Sequence, residues 1–174
     1  MRSRPKLRLR FPLSRVPSLA AAFPDEDDPS FLAMTDRARR RGWLTRSELL
    51  RIARWKTPRS GPRVARNSEK RVREITRRAL SAADERARVL ELLRLSGVGV
   101  PTASVILHFC HREPYPILDV RALWSLSVGR SRGGIALWRD YTDACRALAR
   151  RARCSMRTLD RALWQYAKEK AAGA

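Results

Sequence analysis

Two glycines one residue apart separate two apolar segments in the middle of the chain, in the string Leu95-Ser96-Gly97-Val98-Gly99-Val100-Pro101-Thr102-Ala103. Glycine admits positive φ and a very tight turn, and Pro101 suits the first turn of a helix. The string therefore predicts a hairpin between two helices, the second of which begins near Val100. Backbone N–H groups around Gly99 would then point outwards at a helix N-terminus and could hold an anion such as a phosphate. An ordinary turn with a glycine stop is the plainer alternative.

Apolar residues recur every three or four positions on both sides of this hairpin, which is typical of helices packed on a core. We expect an all-α fold: a compact helical domain of about eight helices with a helix-hairpin-helix motif. Helix starts are predicted at Ser30, at Thr45 (with Glu48 completing a capping box), at Asn67 and at Asp119. Helix ends are predicted at Gly42 and near Lys56, before Pro58 and Pro62. Segments 81–95 and 101–111 flank the hairpin, and two last helices carry core stripes of Trp138, Tyr141, Cys145 and Leu148, and of Leu159, Leu163 and Tyr166.

The first part of the chain has a different composition. Residues 1–29 combine arginines with prolines and few core formers, and then turn acidic. This pattern predicts a basic, disordered tail over 1–29 and a folded domain over 30–174. The tail could be an arm that follows phosphates or only a solvated extension.

The net charge of the chain narrows the class of molecule that it can bind. The 174 residues include 38 Lys and Arg against 17 Asp and Glu, a formal net charge of +21. Such a chain attracts polyanions, with an affinity that falls as salt rises. Arginine, the commoner cation, offers a planar fork that suits phosphates and base edges. Genomic base composition is an equally open cause of the arginine content.

Other classes of protein are disfavoured. No apolar run approaches the roughly 20 residues of a membrane span, so no membrane partner is expected. The cysteines Cys110, Cys145 and Cys154 lack the spacing of a disulfide framework, a zinc site or an iron–sulfur cluster. Cys110 and Cys145 are expected in the core. A reducing, cytoplasmic location is expected, nucleoid-associated if the source is bacterial.

The hairpin string and a second segment, Tyr115-Pro116-Ile117-Leu118-Asp119-Val120-Arg121, resemble the helix-hairpin-helix DNA glycosylase superfamily, which includes endonuclease III and the adenine and 8-oxoguanine glycosylases. The family's hairpin reads Leu-Pro-Gly-Val-Gly, with Ser96 here at the prolyl position. A hydrophobic-Asp pair opens the next helix at a matching distance. The close likeness covers about residues 92–126. It implies a monofunctional DNA N-glycosylase of the base-excision-repair type that acts on double-stranded DNA.

The resemblance also implies roles for single residues. Gly97, Val98, Gly99 and Thr102 would contact the DNA backbone, and the hairpin carbonyls could hold a monovalent cation. Asp119 would be the catalytic aspartate. A carboxylate under the sugar stabilises the positive charge that develops on deoxyribose, or deprotonates an attacking water. An Asp at this place is equally a common N-cap, and the two roles are compatible.

Two departures from the family pattern limit the chemistry. Bifunctional members carry a Schiff-base lysine where this chain has Pro101, so a lyase mechanism through that position is excluded. The cysteine ligands of the family's iron–sulfur loop are absent, so no iron–sulfur cluster or other cofactor is expected. His108 and His111 lie three apart without an evident third ligand, and no metal site is expected there.

Further contacts are predicted around the hairpin. Trp55, Lys56 and Arg59 lie where the family's early substrate loop would fall. They could supply the inserted side chain and the cations that base flipping needs. Arg121 could reach a phosphate, and Tyr115 could line a base pocket. The plainer alternatives are a buried tryptophan beside a solvated basic turn, a surface arginine, and core packing.

Two other functions remain open from the sequence. One is a non-catalytic DNA-binding module that keeps the hairpin and uses Asp119 only as a cap. The other is an RNA- or ribosome-associated basic protein, which the charge supports but the hairpin does not favour. A monomer is expected in each case.

Overall fold

A computed structural model describes residues 7–24, 27–128 and 134–171. Every regular element within these ranges is helical and none is a strand, so the predicted all-α class is confirmed. The α-helices are α1 Val16–Ala21, α2 Pro29–Arg41, α3 Arg46–Lys56, α4 Gly61–Val64, α5 Glu69–Ser81, α6 Glu85–Leu92, α7 Val100–Cys110, α8 Val120–Ser125, α9 Ile135–Ala152 and α10 Met156–Ala171. Short 3-10 turns cover Leu13–Arg15 and Pro58–Ser60. The described part of the chain thus has two more helices than expected, α1 and α4.

The chain divides into two compact units, which we call the central unit (27–115) and the terminal unit (1–26 with 116–174). In the central unit, α7 packs against α2 and α3, and α5 packs against α6. Helix α7 is buried from Thr102 to Leu107. This matches its sequence, which is apolar on nearly every face.

Helix starts in the central unit follow capping chemistry, with two changes of residue. Thr45 and Glu48 form the predicted capping box of α3. Helix α2 is capped by Asp28 instead of Ser30, because the carboxylate accepts the Ser30 N–H at 2.9 Å. Helix α5 is capped by Ser68, which accepts from the Arg71 N–H at 3.2 Å. The predicted cap of α5, Asn67, instead forms hydrogen bonds with Ser96 in the hairpin.

In the terminal unit, α1, α8 and α9 all pack against α10. The predicted core stripes are confirmed except at Leu148: Trp138, Tyr141, Leu159 and Leu163 are completely buried, whereas Leu148 is half-buried. Cys145 in the terminal unit and Cys110 in the central unit are buried free thiols, as expected. None of the helices described is long and apolar enough to cross a bilayer.

The structure corrects the predicted disordered tail over residues 7–24. Phe11, Val16 and Leu19 are at most 5% exposed. The N–H groups of Arg8 and Arg10 each donate to a carbonyl at the end of α8, at 3.0 Å. The segment is ordered because its buried apolar residues pack within the terminal unit, where α1 lies against α10 and Phe11 contacts Tyr166. Sparse but well-spaced core residues were outweighed in the sequence by the surrounding arginines and prolines. Asp28 and Pro29, also within the predicted tail, cap and begin α2. Residues 1–6 and 25–26 lie outside the described residues.

Candidate nucleic-acid interface

The turn between α6 and α7 depends on Gly97. This residue has φ +76°, in the left-handed region. A Cβ added to Gly97 would lie 2.8 Å from both the Val64 backbone nitrogen and the Arg63 Cβ. A side chain there would be strained by its backbone angle and would also collide with α4. Gly97 is therefore required for the turn to lie against α4.

Gly99 has a different conformation from the one expected. Its φ of −100° and ψ of 178° are extended, and any residue can adopt them. A Cβ there would meet only Pro101, at 3.7 Å. Gly99 is the N-cap residue of α7 and provides no side-chain cap. Its carbonyl accepts the Ala103 N–H at 2.9 Å. Within the described chain, the amides of Gly99 and Val100 have no acceptor, and this leaves the positive end of α7 open to an anion.

A pocket joins the hairpin to the segment that follows α3. It has a volume of about 180 Å³ and is lined by Thr57, Arg59, Ser60, Arg63 and Gly97. Both arginine side chains are exposed. The Ser60 hydroxyl donates to Thr57 O at 2.9 Å and so fixes the turn that carries them. The structure thus brings the predicted Arg59 together with Gly97.

Two residues of this interface were missed from the sequence. Arg63 lies four residues after Arg59, a spacing that returns to the same side of a helical turn. Pro58 and Pro62 nevertheless favoured a loop there, and α4 was not predicted. Asn67 is 3% exposed and pairs with the hairpin backbone. Its side-chain amide donates to Ser96 O, and its Oδ1 accepts the Ser96 N–H, both at 2.9 Å.

Two predicted contact residues have their side chains in the core. Val98 is 6% exposed and Thr102 is 5% exposed. Both side chains are buried in the apolar core, so only their backbone atoms are available to a ligand. That Val98 and Thr102 contact DNA stays a prediction, limited to their backbone atoms.

Trp55 and Lys56 lie at the end of α3, outside the residues that line the pocket. The Trp55 indole is 38% exposed. It stacks on Phe31 with ring centroids 5.6 Å apart and contacts Phe109 edge-on at 5.3 Å. These contacts fix one face of the indole in the core and leave its rim in solvent. The plainer alternative of a buried tryptophan beside a basic turn is met only in part, because the indole packs on aromatic rings but is not buried.

Tyr115 does not line a base pocket in this structure. It is completely buried. Its hydroxyl accepts from Arg88 and lies within hydrogen-bond distance of Glu85 and Glu113, at 3.1 and 3.2 Å. Burial raises the pKa of Tyr115 to about 12. The residue closes the core of the central unit, and the packing alternative holds.

Asp119 belongs to the terminal unit, where it caps α8 as predicted. Its Oδ1 accepts the Arg121 N–H at 2.8 Å. The buried Tyr141 hydroxyl donates to Ile117 O at 2.9 Å, and this bond holds the strand-like segment that leads to Asp119. Burial raises the pKa of Tyr141, and the charge of Asp119 adds a smaller upward effect. The catalytic role of Asp119 stays a prediction.

Arg121 is exposed on the same helix start. Its guanidinium carbon lies 4.7 Å from the centroid of the Trp164 ring, a cation–π contact that orients the side chain. Trp164 was not predicted as a contact residue from the sequence, because it lies on α10 among the core residues Leu163 and Tyr166.

No cluster of three or more His, Cys, Asp or Glu side chains suited to a metal ion occurs in the described ranges. Comparisons with protein-family models, with curated proteins and with solved structures gave no match to this chain.

Proposed function

We propose that this protein binds double-stranded DNA through the hairpin and the pocket beside it, and hydrolyses the N-glycosidic bond of a damaged or mismatched base. The observation that carries the binding proposal is the pocket, which has Arg59 and Arg63 beside Gly97. Backbone amides at the start of α7 and two guanidinium groups are the donors that a DNA phosphate needs. Contacts of this kind position the duplex without reading its sequence.

The proposed hydrolysis uses Asp119 and water. The bond between C1′ of the deoxyribose and the base nitrogen breaks, and its electron pair leaves with the base. The water oxygen bonds to C1′ and keeps one proton as the new hydroxyl, and the other proton passes by way of Asp119 or solvent to the departing base. The Asp119 carboxylate stabilises the positive charge that develops on the sugar. Because Pro101 has no amine, the product is an intact abasic strand, which alkali would cleave.

Duplex binding is tested with two matched glycine variants. Gly99→Glu puts a negative charge at the start of α7 and should weaken binding strongly. Gly134 is the N-cap residue of α9 in the terminal unit, and a Cβ there meets nothing within 4 Å. Gly134→Glu therefore changes the net charge equally at a similar position and serves as the control. Equal affinity of the two variants for duplex DNA would refute the hairpin interface.

Catalysis is tested with a panel of lesion-bearing and mismatched duplexes, followed by alkali to cleave abasic strands. Asp119→Asn should fold normally, since Asn caps a helix as well as Asp does. It should lose base release while it keeps duplex binding. The glycosylase proposal fails if the panel yields no abasic product, or if Asp119→Asn releases the base as fast as the unaltered protein does.

A second candidate is a non-catalytic DNA-binding module. The observation in its favour is the use of Asp119 Oδ1 as the cap of α8. This candidate expects duplex binding that depends on Gly99, no base release, and no effect of Asp119→Asn beyond stability.

A further inference from the structure

Three arginines gather around Trp43, away from the hairpin pocket. Their guanidinium carbons lie 3.9 Å (Arg41), 4.2 Å (Arg73) and 5.8 Å (Arg77) from the centroid of the indole ring. Arg73 and Arg77 are exposed, whereas Trp43 is half-buried and the Arg41 side chain is 30% exposed. Cation–π attraction in this range holds the indole and the guanidinium groups together.

The turn before α3 is fixed against α5, and this fixes Trp43. Gly42 ends α2 with φ +81°. The Leu44 N–H then donates to Thr76 Oγ1 at 2.9 Å, and Thr76 is completely buried in α5. The Arg41 guanidinium donates to Trp43 O at 2.9 Å and pairs with Glu48. The position of the indole beside Arg73 and Arg77 is therefore built into the fold.

The charges on this side of α5 are not balanced. Arg78 lies 3.9 Å from Glu74 on the same helix. In the part of the chain that the structure describes, neither Arg73 nor Arg77 has an acidic partner. Like charges held close together raise the local positive potential, which a bound anion would relieve.

These cations form a stripe that begins near the hairpin. Lys70, Arg73 and Arg77 are spaced by three and four residues, so they share one face of α5. They span about 10 Å of its length. The start of α5 is tied to the hairpin region, because the Arg71 guanidinium donates to Arg94 O at 2.6 Å.

We propose that Lys70, Arg73, Arg77 and Trp43, which we call the α5 stripe, form a second contact surface for the phosphate backbone of double-stranded DNA. The identification of DNA as its partner rests on the proposed function. The guanidinium groups of Arg73 and Arg77, held near the indole by cation–π contacts, have fewer rotamers to lose and can donate to phosphate oxygens. The stripe would lengthen the bound part of the duplex beyond the hairpin.

The test is a salt titration of duplex affinity with a lesion-free duplex. The double variant Arg73→Gln/Arg77→Gln should bind more weakly and should lower the slope of log affinity against log salt by about one for each lost phosphate contact. Trp43→Leu should also weaken binding, because the guanidinium groups lose their support. Arg78→Gln removes one positive charge from the same helix at the position paired with Glu74, as the single variants Arg73→Gln and Arg77→Gln each do, and it should leave the slope unchanged. Thermal melting checks that each variant is folded.

The same titration in a Gly99→Glu background separates this surface from the hairpin. A further loss of slope on adding Arg73→Gln/Arg77→Gln supports the stripe as an independent contact. Hairpin variants that bind like the unaltered protein, while the stripe variants lose affinity, would reject the hairpin interface and keep the stripe. Stripe variants that match Arg78→Gln in both backgrounds would overturn this inference. So would tighter binding of a structured RNA than of the duplex at the same salt, since the partner would then be RNA.

Discussion

Asn67 holds Ser96 in the hairpin by two hydrogen bonds of 2.9 Å, one to the carbonyl and one from the N–H of the same residue. A second bond from its amide reaches Val64 O at 2.8 Å. One buried side chain thus joins α4, the start of α5 and the hairpin. The pocket that contains Gly97 and Arg63 depends on this joint, since its two walls come from the segments that Asn67 connects.

Asn67→Ala should therefore damage both stability and binding. It leaves the Ser96 N–H and the Ser96 carbonyl without their side-chain partner, at a cost of about 2–3 kcal/mol in the free energy of unfolding, while Val64 O keeps its bond from the backbone N–H of residue 67. Urea unfolding measures the stability, and a duplex titration measures the affinity. Ser68→Ala is the matched control, because it removes the neighbouring cap of α5 at a cost of about 1 kcal/mol. Duplex affinity that falls no further in Asn67→Ala than in Ser68→Ala would show that the hairpin does not need this joint for binding.

The two hairpin glycines should respond very differently to alanine. Gly97→Ala combines a positive φ with a 2.8 Å approach to Val64, and should cost about 2 kcal/mol or more. Gly99→Ala meets no close atom in an extended backbone and should cost only about 0.5–1 kcal/mol, because Ala is a poorer N-cap than Gly. Thermal melting of the pair decides the point. Equal losses at both positions would mean that the turn relaxes around Gly97.

Most of the fold could be predicted because local signals agreed with one another. The capping box of Thr45 and Glu48 and the left-handed Gly42 are local chemistry, and both are present as expected. Asn67 shows where such reasoning stops. Its neighbour Ser68 caps α5, and the buried amide of Asn67 forms hydrogen bonds with Ser96 instead. Nothing local distinguishes these two choices.

The candidate site was predictable only in part, for the same physical reason. The glycine pair and Arg59 are visible in the string of residues, and they come together in one pocket. Thr102 and Tyr115 have polar groups that could contact a ligand, but both side chains are buried in the core. The arginines around Trp43 carry no recognisable motif, since a turn and a helix separated in sequence bring them together.

The segment before α2 should contribute to stability. Leu19 of α1 is 1% exposed, so Leu19→Ala leaves a cavity and should cost about 2–4 kcal/mol. Leu32→Ala is the control, because Leu32 is 40% exposed on α2 and its truncation should change stability by less than about 0.5 kcal/mol. Denaturant unfolding followed by tryptophan fluorescence gives both values. If Leu19→Ala is as stable as Leu32→Ala, residues 7–24 are disordered, as the sequence predicted.

Acid should remove one specific stabilising pair of the central unit. The Arg88 guanidinium donates to Glu113 at 2.8 Å, and this hydrogen bond lowers the pKa of Glu113. A carboxyl with a lowered pKa in the folded state stabilises the protein above its unfolded pKa of about 4.3, and this contribution disappears as the pH falls through the folded value. Glu113→Gln should therefore cost about 0.5–1 kcal/mol at neutral pH, since half of the side chain is exposed, and nothing once the carboxyl is protonated.

Thermal melting over a pH series measures this difference in stability. The control is Glu74→Gln, which removes the looser surface pair with Arg78. A penalty for Glu113→Gln that stays constant down to acid pH would show that hydrogen bonding alone, without the carboxylate charge, holds Arg88 in place.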